Sequence, residues 1–308
     1  MAVSLRSFTT SRLSSSSQHP AVRAHAAWLT AVVAMIAIGA ACNGQPVLTR
    51  LMEARRLSAE LRTSFARANE ASTRAVLADT DDVSAATAKE ATDATASVAE
   101  TLTRLQTLVT SLGYDAEREA LARFANRFAE FQKLDAEILT LAVENTNLKA
   151  QRLSFGAARE MGEAIAGELE KVAVGAPAET DAQAKAIRAD LYELLFIQSR
   201  HIAEADDGVM TELEARSQTV IADARARLAR LKGQTRRSDA IAALDAATSL
   251  FTRFVDTHDE IVALSRRNTN VRSLALILGR ARVVVADCNV ELNTIEQLLA
   301  GHGSEATR

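Results

Sequence analysis

The sequence predicts an all-α protein made of two tandem, antiparallel (up-down-up-down) four-helix bundles, and three observations lead to that fold. Only 12 Gly and 3 Pro occur among 308 residues and 4% are aromatic, while helix-forming residues are abundant, which disfavours strands. Apolar residues recur in steps of three and four, the spacing of an amphipathic helix. The chain also contains an internal duplication, and each copy carries four helical segments of similar length.

The duplication is defined by a shift of 123 positions. The triplet Asn-Thr-Asn at 145–147 returns at 268–270. Further identities are Phe128/Phe251, Phe131/Phe254, Glu137/Glu260, Ile138/Ile261, Leu141/Leu264, Gly156/Gly279 and Arg159/Arg282. Before a loop at 111–118 the shift is 126, because the second copy shortens that loop by three residues. Deletions are tolerated in loops, so this change supports a turn there.

Each predicted helix of the first copy ends at a recognisable signal. These signals are the polar turn at 78–82, Gly113, the Asn-Thr-Asn triplet and Gly175-Ala176-Pro177. The fourth helix should run from about Asn147 to Val174. The second copy should begin near Thr180 or Asp181, either of which can cap a helix.

The Asn-Thr-Asn triplet decides how many helices each copy has. Asn and Thr compete with the helix backbone for hydrogen bonds and cap the helix that follows, although no Gly or Pro enforces a break. Read as a turn, the triplet gives four helices of about 30 residues, which can pack side by side in a bundle. Read as continuous helix, it gives a three-helix, spectrin-like repeat with one helix of nearly double length. The matched lengths favour four.

The predicted domains are residues 1–42 for targeting, 43–175 and 176–300 for the two bundles, and 301–308 for a disordered tail. The short Gly-Ala-Pro link should let the second bundle rise beside the first. One chain would then contain an intramolecular pair of bundles.

An uncharged, apolar run of 17 residues extends from Ala26 to Cys42. A membrane-spanning helix needs about 20 such residues and an export signal needs an apolar core of about 7 to 15, so the length favours a signal over a short anchor. Cys42 follows Gly39-Ala40-Ala41, which resembles the lipobox of bacterial lipoproteins, although Gly39 stands where Leu is usual. That resemblance implies a lipid on Cys42. Both alternatives predict export and membrane anchoring, facing the periplasm or the cell exterior.

The charge distribution disfavours nucleic acid as a partner. Three of the 36 basic residues and none of the 39 acidic ones lie in the first 42 residues, which leaves the remainder with a net charge of −6. Both signs are interspersed along every predicted helix, whereas nucleic-acid-binding proteins concentrate Lys and Arg on one face.

Catalytic signatures are missing from the sequence as well. Beyond residue 42 the chain has His201, His258 and His302 and a single cysteine, Cys288. It contains no His-Glu-x-x-His, no paired Glu-x-x-His, no Cys-x-x-Cys and no glycine-rich phosphate loop. We therefore expect no enzyme activity, no cofactor and no metal. Cys288 aligns with Ile165 and is interpreted as a small core residue.

Several polar residues fall on the inward seams of the predicted helices. These are Gln198, His201 and His258 in the second copy and Asp135 in the first. A buried polar group costs about 1 to 3 kcal/mol unless it is partnered, so an inward polar layer predicts mutual hydrogen bonds, water or a ligand. A layer that sets the helix register and a ligand pocket both fit this pattern.

Arg74 and the aligned Arg200 flank these layers. An arginine fork suits a carboxylate ligand, although surface arginines are also common salt-bridge partners. The predicted ligand-binding residues are Arg74, Asp135, Gln198, Arg200, His201 and His258.

The repeat resembles the four-helix-bundle sensory domain of methyl-accepting chemotaxis receptors. The resemblance lies in the arginine before the acidic turn at 74–82, in the Phe-rich third helix RFANRFAEFQKLDAEILTLA, and in the Ala-rich start of the fourth, NLKAQRLSFGAARE. It covers nearly all of residues 48–174 and, more weakly, 181–299. Such domains form homodimers, bind ligands between or within bundles, and lie between two membrane spans that feed a signalling coiled coil. We expect this chain to lack the second span and the output modules.

These patterns predict an exported, membrane-tethered, chemoreceptor-like sensory module. It would bind a small molecule or a partner receptor or kinase, and signal through helix shifts in that partner. The alternative is a non-enzymatic structural or scaffold lipoprotein of the cell envelope with a coiled-coil-like helical spacer.

Overall fold

The computed structural model describes residues 47–305, and every regular element within that range is helical, which confirms the all-α prediction. The helices are α1 (Val47–Val76), α2 (Asp81–Leu112), α3 (Asp115–Glu144), α4 (Thr146–Leu153), a π turn (Ser154–Ala158), α5 (Arg159–Ala173), α6 (Ala178–Ala203), α7 (Asp207–Gln234), α8 (Ser238–Arg267), α9 (Thr269–Leu276), a second π turn (Ile277–Ala281) and α10 (Arg282–Glu305). Cys42 and the apolar run before it lie outside the described residues. None of the helices between 47 and 305 combines the length and apolarity that a membrane span requires.

Local chemistry sets most of the helix ends. The Thr80 side chain accepts a hydrogen bond from the Val83 amide and caps α2, which ends at Gly113 in the left-handed region with φ of 73°. Gly175 is also left-handed, with φ of 67°, and follows α5. Glycine adopts this conformation without a Cβ clash, so both predicted stops are confirmed. α6 begins slightly earlier than predicted, directly after Pro177.

Buried apolar side chains form two separate cores. The first joins α1, α2 and α3 with the far end of the chain, where α10 contributes Leu292 and Ile295. The second joins α5, which contributes Ile165 and Leu169, with α6, α7 and α8. We call the first unit the split bundle, because its fourth helix is separated in sequence from the other three. We call the second, residues 146–267, the inserted bundle.

The bundles therefore do not coincide with the sequence copies, and the predicted domains 43–175 and 176–300 are wrong in this respect. The fourth helix of each copy packs in the bundle formed by the other copy. Two ion pairs join α10, the fourth helix of the second copy, to helices of the first copy. Arg62 Nε on α1 lies 2.5 Å from Glu296 Oε1, and Arg123 Nε on α3 lies 3.0 Å from Glu291 Oε2. Both acids belong to α10.

The exchange follows from the length of the break at each Asn-Thr-Asn triplet. Asn145 and Asn268 are left-handed, with φ of 53° and 55°, and each is the single non-helical residue between two helices. The predicted break is present, but one residue spans about 3.8 Å. Packed helix axes lie about 8 to 10 Å apart, and helical hairpins use loops of about 2 to 5 residues. The chain therefore continues into the next bundle instead of reversing.

The bundles meet at their ends and not along their sides. Packing between them occurs where α4 contacts α9, beside the two triplets. Arg267 Nη2 pairs with Glu144 Oε2 at 2.9 Å at the same place. The predicted side-by-side pairing of the bundles is therefore wrong.

Aromatic residues of α3 fill the centre of the split bundle. Phe65 on α1 meets Phe124 and Phe131 edge to face, with ring centroids 5.9 and 5.1 Å apart. Such pairs add about 0.5 to 1.5 kcal/mol to the gain from burial. This packing holds α1 against α3 and positions the buried polar residues one to two turns further along.

Candidate functional site

Two identical triplets meet at the junction of the bundles, and each caps the helix that the other begins. The Thr146 amide donates to Thr269 Oγ1 at 3.0 Å, and the Thr269 amide donates to Thr146 Oγ1 at 3.3 Å. The Asn147 amide donates to Asn270 Oδ1 at 3.1 Å, and the reverse bond is 3.2 Å. The first amides of a helix have no partner inside it. Here the opposite triplet supplies one, in a reciprocal contact like that of a two-fold dimer.

Side-chain amides extend this junction. Asn147 Nδ2 donates to Asn268 Oδ1 at 2.8 Å, and Asn270 Nδ2 donates to Asn145 Oδ1 at 2.5 Å. Asn145 Nδ2 in turn donates to Asp81 Oδ1 at 2.9 Å. The junction is thus a largely buried polar cluster in which the two chain crossings at 145–147 and 268–270 are hydrogen-bonded to each other.

A second polar cluster lies inside the inserted bundle, near the junction. The Ser154 hydroxyl donates to Gln198 Oε1 at 2.8 Å, so the Gln198 amide nitrogen, 3.1 Å from His258 Nδ1, is the donor to that ring. A neutral His258 then carries its proton on Nε2, which is buried without a hydrogen-bond partner. Burial lowers the pKa of His258, and the nearby Asp259 only partly offsets this effect.

His201 continues the polar layer on the other side of α6. Its Nδ1 lies 2.5 Å from Ser265 Oγ and its Nε2 lies 3.0 Å from Glu214 Oε1. Arg266 Nη2 contacts the same carboxylate oxygen at 2.9 Å. Burial opposes ionisation of Glu214, but hydrogen bonds from Arg266 and His201 outweigh it and hold the pKa of Glu214 below its usual value.

Asp135 occupies the matching place in the split bundle, since it aligns with His258. Ser72 donates to Asp135 Oδ1, and Thr95 Oγ1 lies 3.5 Å from Oδ2. Burial raises the pKa of Asp135 despite these hydrogen bonds. Thr95 aligns with Ile221, so the inserted bundle has an apolar residue at the position whose hydroxyl reaches Asp135 in the split bundle.

A π turn lies beside the cluster of the inserted bundle. Ser154–Ala158 is π-helical, and the aligned segment Ile277–Ala281 is π-helical in the split bundle. π turns occur frequently at functional sites, because the extra residue redirects the side chains around it. Ser154 begins the first turn and is buried, and its hydroxyl reaches Gln198.

The two predicted arginines lie on the surface and differ in their partners. Arg74 Nη2 pairs with Glu90 Oε2 at 2.5 Å, and Arg67 pairs with the other oxygen of Glu90 at 3.1 Å. Arg200 is exposed, and among residues 47–305 no acid pairs with it. An intramolecular carboxylate thus already fills the place that an anionic ligand would take at Arg74.

The structure brings together some of the predicted site residues and separates others. Gln198, His201 and His258 share the interior of the inserted bundle, as their seam positions predicted, while Asp135 lies in the other bundle. Five surface grooves of residues 47–305 are lined by none of the predicted site residues. One of them, of about 500 Å³, is lined by residues of the α2–α3 turn and of α10, including the stacked pair Tyr114 and His302. No three metal-ligating side chains of the described chain converge on one point.

Sequence reasoning missed three contributors: Ser154, Glu214 and Ser265. The repeated Gly156 and Gly279 signalled that the fourth helices are unusual, but not that a π turn forms there. Ser154 joins Gln198 because the helices are exchanged, so no pairing within one sequence copy could have predicted that contact.

The comparisons with known proteins give a loose likeness to solved structures and no match among sequences. No protein-family profile matches the sequence, and no curated protein sequence matches it significantly. Among solved structures, the chain is similar to the TorS sensor domain, crystallised in complex with TorT in the presence of TMAO. Identity is 13%, the match covers 83% of this chain and 100% of that chain, and the TM-score is 0.35. A likeness of this degree does not define a function.

Proposed function

We propose that this chain is an exported, membrane-tethered sensory module that binds a small molecule or a partner protein and transmits the event as a shift of packed helices. The junction is the observation that supports this proposal most. The inserted bundle is covalently joined to the split bundle through Asn145 and Asn268 alone, and both are single-residue hinges. We propose that a change of packing in the inserted bundle reaches α3 and α10 mainly through this junction.

The polar layer of the inserted bundle adjoins that hinge. His201 is followed by Ile202, whose carbonyl accepts a hydrogen bond from Asn147 Nδ2 at 2.8 Å, and the same nitrogen donates to Asn268. A shift of α6 by 1 to 2 Å, which is typical of packed helices in switching proteins, would break or remake these bonds. Binding that repacks the layer around His201 would thus bias the hinge.

The split bundle is suited to pass such a shift to a membrane-spanning partner. Arg55 Nε and Nη2 on α1 donate to the Leu299 carbonyl on α10 at 3.0 and 2.9 Å. The first and last helices of the described chain therefore lie side by side. We propose that a receptor or kinase reads their relative displacement, as the expected kinship with chemotaxis receptors implies.

Ligand-dependent stability tests the sensory part of the proposal. The exported chain is melted with a panel of amino acids, organic acids and aromatic compounds, since a ligand at 100 times its Kd should add about 2.7 kcal/mol. With a compound that stabilises the chain, amide exchange in α1 and α10 should change as well. The Asn145→Gly/Asn268→Gly variant should keep the binding but lose much of the remote change, because glycine tolerates the left-handed backbone and loosens the hinge. No stabilisation by any compound, or an undiminished remote change in the variant, would contradict the mechanism.

Membrane attachment through Cys42 is a separate part of the proposal. Growth with an alkyne-bearing fatty acid should label the protein, and Cys42→Ala should lose both the label and membrane association. An unlabelled protein that still sediments with membranes would favour the short anchor.

A structural role is the second candidate, and the satisfied polar layers favour it. Asp135 is partnered by Ser72 and Thr95, and His201 by Ser265 and Glu214. Such layers set the register of helices without any ligand. A scaffold or spacer predicts no stabilisation by any compound and no loss of function in the hinge variant.

A further inference from the structure

An outward-facing stripe on α6 combines two exposed aromatic residues with an unpaired arginine. Tyr192 is 61% exposed and Phe196 is 63% exposed, and Arg200 follows one turn later. Their spacing of four residues places all three on one face of the helix. Aromatic residues and arginine are the types enriched at the centres of protein interfaces.

The other copy of the repeat shows that the fold does not require this stripe. The aligned residues on α1 are Ala66 and Glu70, both exposed, followed by Arg74. The α1–α2 pair forms the same kind of helical hairpin without an exposed aromatic residue. Packing therefore gives no reason for Tyr192 and Phe196 to point into solvent.

A charge reversal between the copies leaves Arg200 without an acid. Arg67 and Glu90 pair across α1 and α2, and the aligned residues Glu193 and Arg216 pair across α6 and α7, with Arg216 Nη2 lying 2.6 Å from Glu193 Oε1. Glu90 also neutralises Arg74. Its counterpart is Arg216, which has the wrong sign for Arg200. The site that a carboxylate fills in the split bundle is open in the inserted one.

We infer that Tyr192, Phe196 and Arg200 form the docking surface for a partner protein that presents a carboxylate beside apolar side chains. The inference rests on the proposed function. The partner meant here is the protein whose binding to the inserted bundle would start the helix shift, and not the receptor or kinase that would read it on the split bundle. The carboxylate would take the position that Glu90 takes opposite Arg74, and the apolar groups would cover the two rings. The pairing of Glu90 with Arg74 in the other copy thus indicates both the charge of the partner's group and its position relative to Arg200.

Two other occupants fit the surface less well. A small molecule needs a concave site that excludes water, and none of the five surface grooves of residues 47–305 is lined by Tyr192, Phe196 or Arg200. An anionic membrane attracts clusters of about 4 to 8 basic residues. Here the same face of α6 carries Arg188 and Arg200, and the charge of the neighbouring Arg216 is already balanced by Glu193, so fewer basic residues are present than such a cluster needs. A protein surface can exclude water around a single ion pair, which strengthens it.

Site-specific photo-crosslinking tests the inference in cells that produce the full-length protein. A benzophenone amino acid is placed at Phe196 or, as a matched control, at Glu70, the aligned exposed position on α1. We expect a protein adduct from position 196 and none from position 70. The Glu193→Arg/Arg216→Glu exchange rebuilds the charge pattern of the split bundle, neutralises Arg200 internally and keeps the net charge. It should reduce the adduct at least tenfold.

A second exchange, Asp181→Lys/Lys185→Asp, serves as the control for charge swapping on the same helix, and it should leave the adduct unchanged. Thermal melts of both exchanged variants check that each one folds. No adduct at 196, equal adducts at 196 and 70, or an adduct that survives the Glu193/Arg216 exchange would overturn the inference. The proposed lipid or anchor would bind vesicles of any charge, so the membrane alternative is tested by comparison. The inference would be overturned in favour of a membrane if the purified chain sediments more with vesicles containing a quarter anionic lipid than with uncharged vesicles, and if this excess falls in the Glu193/Arg216 variant but not in the Asp181/Lys185 control. If ligands stabilise the chain while no adduct forms, the docking surface is refuted and the sensory function stands.

Discussion

Alanine substitutions at two equivalent positions of the repeat test the exchange of helices. Leu169 on α5 and Leu292 on α10 align at the shift of 123, and both are completely buried. Leu169 lies in the core of the inserted bundle and Leu292 in that of the split bundle. Leu→Ala removes three buried carbon groups, worth about 2.4 kcal/mol, and the cavity raises the cost to about 3 to 4 kcal/mol.

Native-state amide exchange shows which bundle loses stability in each variant. A cost of 3 to 4 kcal/mol raises the opening equilibrium roughly a hundredfold to a thousandfold. Leu292→Ala should therefore speed exchange in α1, α2 and α3, and Leu169→Ala in α6, α7 and α8. Each variant is the control for the other, since the substitution and its burial are the same.

The opposite pattern would refute the exchange. If Leu169→Ala exposed the amides of α1 to α3 while Leu292→Ala exposed those of α6 to α8, each fourth helix would belong to its own sequence copy. The assignment of Ser154 to the polar cluster of the inserted bundle would then fail with it.

Four further outcomes are expected. Asn145→Ala should lower the free energy of unfolding in urea by about 1 to 2 kcal/mol more than Asn145→Gly does. Both variants lose the side-chain hydrogen bonds of Asn145, but only alanine disfavours a φ of 53°, so equal costs would contradict this. Burial raises the pKa of Asp135 above 3.8, so the stability it contributes when protonated is lost as the pH rises through the folded value. Asp135→Asn should therefore raise the Tm at neutral pH, and a gain that persisted unchanged below about pH 4 would be inconsistent with that cause. Burial lowers the pKa of His258 below 6.5, so the stability that neutral His258 contributes above pH 6.5 is lost as the pH falls through the folded value. The Tm of His258→Gln should therefore fall less on acidification than the Tm of the unaltered protein. Burial raises the pKa of Cys288 to about 12, so at pH 8 this thiol should react with a disulfide reagent only as fast as the split bundle opens. Rapid labelling of the folded chain would argue against the place of Cys288 in the core.

Helix ends and buried faces were predictable because their causes are local. The Thr80 cap and the left-handed Gly113 and Gly175 act on their own neighbours, and the three-and-four spacing assigned Gln198 and His258 to the interior. Each of these inferences needs only the backbone geometry of one helix.

The exchange of fourth helices was not predictable from the same information. Periodicity shows which face of a helix is buried, but not which partner covers it. Ile165, Leu169 and Val172 on α5 align with Cys288, Leu292 and Ile295 on α10, so either helix presents similar apolar side chains to either core. What decides between them is the single residue at Asn145 and Asn268, since one residue cannot reverse the chain.

Cross-capping also explains how the junction can be stable and still transmit a change. Had each triplet capped its own helix, the two hinges could bend independently. Instead the Thr146 and Asn147 amides depend on Thr269 and Asn270, and the reverse bonds depend on the first triplet. Opening one crossing leaves the helix starts of both without partners, at a cost of about 1 to 3 kcal/mol for each buried amide. The two crossings should therefore open together, and under the proposed function a displacement in the inserted bundle would reach α3 and α10 as one coupled motion.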